Sequence, residues 1–117
     1  MKKIEEFHQR RQQGNTLLNN TENKTIKRFL NLDTNVYSDG ELSKKHKELL
    51  GLCASTVLRC NDCITYHLNQ SQKAGASRKE IEESLAIALI VGGSITIPHL
   101  RYAEEILDEL YESYGSD

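Results

Sequence analysis

The stretch RCNDCITYH, Arg59 to His67, sets two cysteines three residues apart and a histidine four residues after the second. On an α-helix, residues three and four apart share a face, so Cys60, Cys63 and His67 read as one stripe of two thiols and an imidazole. A disulfide needs Cα atoms no more than about 7 Å apart, and neighbours one helical turn apart meet that requirement with little backbone movement. The stretch therefore reads as helix and permits a reversible dithiol on it.

Outward from it, nearly every segment with a clear period is also helical. Upstream, Ser43 is placed to cap a helix through KKHKELLGLCASTVL, where Leu49, Leu52, Cys53 and Thr56 recur at intervals of three and four. The helix that carries Cys63 and His67 is expected to start with Asn61 as its cap and to end at Gly75. SRKE, Ser77 to Glu80, is a capping box opening a further helix through Val91. Gly92, Gly93 and Ser94 interrupt it. Pro98 is tolerated near the start of a last amphipathic helix built on Leu100, Ala103, Ile106, Leu107 and Leu110. At the other end, Ile4, Phe7 and Arg11 mark a short helix expected to stop at Gly14, and Ile26, Phe29 and Leu30 mark a second. DTNVYSDGEL, Asp33 to Leu42, reads as loop. The expectation is an all-α bundle of about six helices, with 1–117 as one domain and its core at about 42–95.

With 117 residues, a formal net charge of -2, dispersed charges and no tryptophan, the chain has no basic stripe, which argues against a nucleic-acid partner. Its longest apolar run, LAIALIV from Leu85 to Val91, is far short of the roughly 20 residues that span a bilayer. The charged start MKKIEEFHQRRQQG lacks the apolar core of a secretory signal, so a cytoplasmic protein is expected. In that reducing compartment three cysteines point to catalytic, redox or metal roles rather than a disulfide scaffold. LAIALIV is apolar all round, and a chain this small has difficulty covering such a helix alone. It is either a central core helix or one shared between subunits. The second reading is favoured, with Tyr102, Tyr111 and Tyr114 offering further contacts.

Four explanations compete for the motif. Two structural cysteines can fall at this spacing by coincidence, because free cysteine is often buried as a small hydrophobe. A zinc site would take Cys60, Cys63, His67 and either Glu48 or His46, but structural zinc draws paired ligands from separated segments and no second pair exists here. Haem attachment needs histidine directly after the second cysteine, where Ile64 stands. Thiol redox chemistry uses every residue: a helix start or an imidazole able to take the proton favours the thiolate of Cys63, and a carboxylate such as Glu48 would fix the tautomer of His67 if the two helices pack antiparallel.

KELLGLCASTVLRCNDCITYHLNQSQKAGASRKEIEESLAIALIVGG, Lys47 to Gly93, resembles the core of the carboxymuconolactone decarboxylase-like superfamily, in particular its alkylhydroperoxidase AhpD-like branch. Glu48 stands 12 residues before Cys60 and His67 stands 4 after Cys63, as that branch requires, and the AGAS turn into an apolar helix ending in VGG is family-like. The resemblance implies trimers or hexamers. It implies a dithiol that reduces peroxides or serves a peroxiredoxin partner, with a lipoyl-type thiol carrier as electron donor; separately, no bound cofactor or metal is expected. By position, Glu48, Cys60, Cys63 and His67 would form the proton relay and the redox pair. Decarboxylase members lack the CxxC. Asp62 departs from the branch, where a histidine is usual, and an aspartate beside two thiols opposes thiolate formation. A non-catalytic, redox-sensing helical oligomer is the alternative, as is a decarboxylase-like enzyme of unknown substrate.

The remaining candidates read as structural. Cys53 lies on the apolar face of its helix, His46 is a solvated helix residue, and His99 follows Pro98 at a helix start. Gly92 and Gly93 allow close packing or a break.

Overall fold

The fold follows from where helices are capped and which faces they bury. The structure, a computed structural model, describes residues 2–115. It contains six α-helices: α1 (Lys3–Asn19), α2 (Lys24–Val36), α3 (Lys44–Val57), α4 (Asn61–Lys73), α5 (Arg78–Gly92) and α6 (Ile97–Leu110), with a 3-10 turn at Ser94–Thr96. Among the described residues there is no strand. Ser43 caps α3, accepting the His46 N–H, and Ser77 and Glu80 form the expected reciprocal box at the start of α5. Gly75, at φ 93°, ends α4. Its N–H bonds to the Gln72 carbonyl and the next N–H to that of Ser71, a closure that needs the left-handed backbone.

The core lies where α3, α4, α5 and α6 meet. Leu52, Ile64, Leu68, Ile81, Leu85, Ala103, Ile106 and Leu107 are buried there, and Ile4 and Phe7 of α1 add to it. The first amides of α1 are held by a carboxylate, with Lys3 and Ile4 both donating to Glu109 of α6. Negative charge at a helix N-terminus is stabilising, so this contact fixes α1 over the bundle.

Three expectations need correction. Helix α1 runs through Gly14 to Asn19, because a glycine in an exposed helix costs only about 1 kcal/mol and stops the chain only when its backbone turns left-handed. Helix α2 takes in Asp33 to Val36, since none of these four residues is a glycine or proline that would break it. Asn61 is the first residue of α4, and its cap is Cys60. LAIALIV is buried on one side only: Leu85 and Ala88 face the core, whereas Ile87, Ile90 (85% exposed) and Val91 face out. Of the tyrosines expected to offer contacts to a partner, Tyr102 and Tyr111 are half-buried and Tyr114 stays exposed. Tyr102 bonds to Thr65, Tyr111 to the Ala76 carbonyl and Tyr114 to Glu82.

Candidate functional site

The site is built by the turn between α3 and α4. After α3 the chain passes through Arg59 at φ 61°, the one left-handed non-glycine among the described residues. The Arg59 N–H bonds to the Thr56 carbonyl at 3.0 Å and the Cys60 N–H to that of Ser55 at 3.1 Å, the helix closure that glycine usually serves. A side chain in this conformation costs roughly 1–2 kcal/mol. What it achieves is a tight reversal that sends α4 back along α3 and leaves Cys60 as the N-cap. The Cys60 Sγ accepts the Cys63 N–H at 3.2 Å.

Cys60 and Cys63 are joined in a disulfide with Cα atoms 5.3 Å apart. Cys60 is half-buried and Cys63 exposed, so the pair differs in access. The stripe expected from spacing is thus two elements: a capping cysteine, and a helical pair Cys63 and His67 one turn apart.

The antiparallel return brings Glu48 of α3 to His67 of α4. Glu48 Oε1 lies 2.8 Å from His67 Nδ1, and Lys44 donates to Glu48 Oε2 at 3.2 Å. The Glu48 side chain is fully buried and that of His67 nearly so. A carboxylate away from water needs such partners, and in return it fixes the proton of a neutral imidazole on Nδ1. The lone pair is then on Nε2. There the structure places a residue that sequence reading missed: the Tyr37 hydroxyl, 3.5 Å from Nε2, with the two rings 5.1 Å apart. Burial, then the charges of Asp33 and Glu48, push the Tyr37 phenol above its ordinary range, which keeps it a donor. Tyr37 stood in a stretch read as loop, and no motif or period marked it.

Cys63 and His67 share a cleft of about 330 Å³, walled by Phe7 and Arg11 of α1, Asp33 of α2, and Asp62 and Tyr66. Arg11 lies 4.5 Å over the Tyr66 ring, a cation–π contact that closes one wall. Asp62 sits at the rim with Arg10 3.5 Å away. A larger hollow of about 740 Å³ lies against Arg78, Glu104 and Tyr114, but it holds no thiol or imidazole, so size does not mark the site.

The other candidates lie outside this arrangement. His46 is exposed and bonds to Ser43. His99 bonds to the Asn61 side chain and ties α6 to the start of α4. Burial pushes the Cys53 thiol up, away from reactivity. Gly93, at φ 81°, makes the break after α5, and a Cβ on Gly92 would lie 2.6 Å from Thr96 Cγ2. No group of three or more His, Cys, Asp or Glu side chains is arranged to hold a metal ion among the described residues.

Residues 24–106 match the model of the carboxymuconolactone decarboxylase family. The chain belongs to that family. It is similar to a Thermotoga maritima crystal structure, described as a family protein with a suggested part in the antioxidative response. The two share 53% identity and a TM-score of 0.86, over 90% of this chain and 89% of that one. It is 30% identical over 82 residues to uncharacterized protein 4 in the cox locus of Paracoccus denitrificans, covering 70% of this chain and 74% of that protein. To the alkyl hydroperoxide reductase AhpD of Coxiella burnetii it is 35% identical over 63 residues, 54% of this chain but only 36% of the reductase. These likenesses support the AhpD-like branch. Among the described residues no helix is long and apolar enough to cross a membrane.

Proposed function

We propose that this chain is a thiol-dependent oxidoreductase that reduces peroxides or disulfides with the Cys60–Cys63 dithiol, through a Glu48–His67 proton relay. The observation that carries the reading is the Cys60–Cys63 disulfide opening, at Cys63, onto a cleft it shares with an imidazole held by a buried carboxylate. In the reduced protein, His67 takes the proton of Cys63 and the thiolate attacks the O–O bond. The alkoxide leaves with a proton as alcohol, and Cys63 becomes a sulfenic acid. The Cys60 thiol then attacks that sulfur, water leaves, and the disulfide forms. A dithiol of lipoyl type restores both thiols by exchange at the exposed Cys63 sulfur. The departing Cys60 thiolate gains the Cys63 N–H at the helix start. No bound cofactor is needed, and recycling by a small dithiol fits the cytoplasm.

The test is peroxide consumption by the purified protein with dihydrolipoamide. Turnover is expected, reduced to background by Cys60→Ser or Cys63→Ser. No turnover with any peroxide or disulfide and any dithiol would overturn the reading.

The same proposal extends to assembly. Helix α2 buries no residue and leaves Phe29 (68% exposed), Leu32 and Val36 open; Leu50, Ile87, Ile90 and Val91 lie open on α3 and α5, as does Leu58 just past α3. Apolar surface on this scale marks an association surface. A second copy of this chain is its proposed occupant, giving trimers or hexamers. Light scattering at micromolar concentration is expected to report such an oligomer, and a monomer would remove the proposal.

A further inference from the structure

Resting on the relay just proposed, we infer that Tyr37 is a positioning residue for His67: its hydroxyl occupies the Nε2 lone pair in the disulfide form and must release it before Cys63 can pass its proton there. With Nδ1–H committed to Glu48 at 2.8 Å, Nε2 is the only basic position left on the ring. Nε2 is also the atom a thiol one turn away would need. Among the described residues it meets the Tyr37 hydroxyl at 3.5 Å and has no hydrogen bond to Cys63. The distance is long for O–H···N, so the contact is a weak one.

Two further observations point the same way. A Cβ built on Gly51 of α3 would lie 2.7 Å from the Tyr37 hydroxyl and 2.8 Å from His67 Cε1. The phenol and the imidazole therefore meet over a position where any side chain would displace one of them. Tyr37 also lines a second cleft of about 410 Å³, with Val36, Leu50 and Gly51, separate from the cleft of Cys63. A hydroxyl that leaves Nε2 has somewhere to turn, and it keeps its own proton when it does so.

The groups around His67 are few enough for a clean test. Glu48 with Lys44 faces it from α3, Tyr66, Asp62 and Cys63 from α4, Asp33 from α2 and Arg11 from α1. A donor to Nε2 stabilises the neutral ring, so removing it makes the imidazole a better acceptor for the thiol proton. In reduced Tyr37→Phe, the pH profile of Cys63 alkylation, read at that residue by mass spectrometry, is expected to move toward acid by about half a pH unit. Below the midpoint that is roughly threefold faster modification. In a His67→Ala background the same substitution is expected to change nothing, which separates action through the imidazole from loosened packing. Tyr37→Met, which also lacks the hydroxyl, serves if the phenylalanine variant does not fold. An unmoved or alkaline-shifted profile in Tyr37→Phe, while His67→Ala still moves it, overturns the role of Tyr37 and leaves the relay standing. A shift that persists without His67 likewise overturns it. If His67→Ala leaves the profile unmoved, relay and inference fall together.

Discussion

Two clusters in this protein bury charge, and they do so in opposite ways. At one end Arg78, with only 8% of its side chain exposed, is gripped by Glu104 at 2.7 Å and Asp108 at 2.9 Å, donates to the Glu112 carbonyl, and carries Tyr114 over its guanidinium at 3.5 Å. At the other, Glu48 is buried against Lys44 and His67. The guanidinium stays charged at any pH a cell meets, so its cluster can only hold α5, α6 and the tail past α6 together. An imidazole can take up a proton and give it back, and this one faces a cleft with a sulfur in it. Burial of charge alone therefore does not identify a functional site. The ability of the buried group to exchange a proton, beside something that needs one, does.

The largest expected effect breaks this comparison if it fails. His67→Ala removes the proton acceptor, and dithiol-dependent turnover is expected to fall about 100-fold or more, the usual worth of a positioned acid–base group. The alkylation profile of the reduced protein should move toward the free-cysteine value of about 8.5. Glu48→Gln should act in the same direction and less strongly, since an amide oxygen still accepts the Nδ1–H but no longer favours imidazolium. Wild-type turnover and alkylation in both folded variants would make the Glu48–His67 pair a second structural cluster.

Arg78→Ala is the complementary experiment. It should cost about 2 kcal/mol of stability, below the usual figure for a broken buried pair because Glu104 and Asp108 are 41% and 31% exposed and water can reach them. Turnover per folded molecule should be unchanged. Acid sharpens the contrast. The Tyr114 N–H, the Ser113 hydroxyl and Arg78 hold the Asp108 carboxyl below its ordinary value, so the folded state binds its proton less readily than the unfolded chain. That contribution is present above the unfolded carboxylate value of about 4 and is lost as pH falls through the lower folded one. Urea midpoints measured downward from pH 5 should therefore drop less steeply in Asp108→Asn than in the wild type, and equal slopes would show that the cluster carries no such linkage.

What could be read in the sequence divides along the same line. The caps at Ser43 and Ser77, the all-α fold and the grouping of Glu48 with His67 were legible because each rests on short spacing within a helix or on one antiparallel return. The Arg78 cluster was not, since apart from Glu82 one turn on its partners lie 26 or more residues away, and charged residues on helices are common. Arg59 gave no sign of a left-handed backbone because arginine has no preference for it. The closure of α3 forces that conformation, and the same closure turns Cys60 from a helical residue into a cap. Tyr37 was invisible for a third reason: its contact with His67 exists only once α2 has extended past Asp33 and Gly51 has left room for both rings.

The smallest effect concerns Asp62, the departure from the AhpD-like pattern. A negative charge beside Cys63 opposes a thiolate there, so Asp62→Asn should shift the alkylation profile toward acid. Three features of the structure shrink the effect. The Asp62 side chain is 65% exposed, Arg10 stands 3.5 Å from it, and it lies in the first turn of α4, where the helix itself favours negative charge. Solvent and the arginine together leave a shift of about a few tenths of a pH unit. Because the interaction is exposed, 0.5 M salt should erase most of it, whereas the shift expected from His67→Ala should survive, being made by buried groups. Arg10→Ala should act oppositely to Asp62→Asn by exposing the aspartate charge to the sulfur. A full-unit shift in Asp62→Asn that persists in salt would mean that the aspartate reaches the thiol directly in the reduced protein. The rim of the cleft would then be part of the proton path that the Glu48–His67 pair has been assigned.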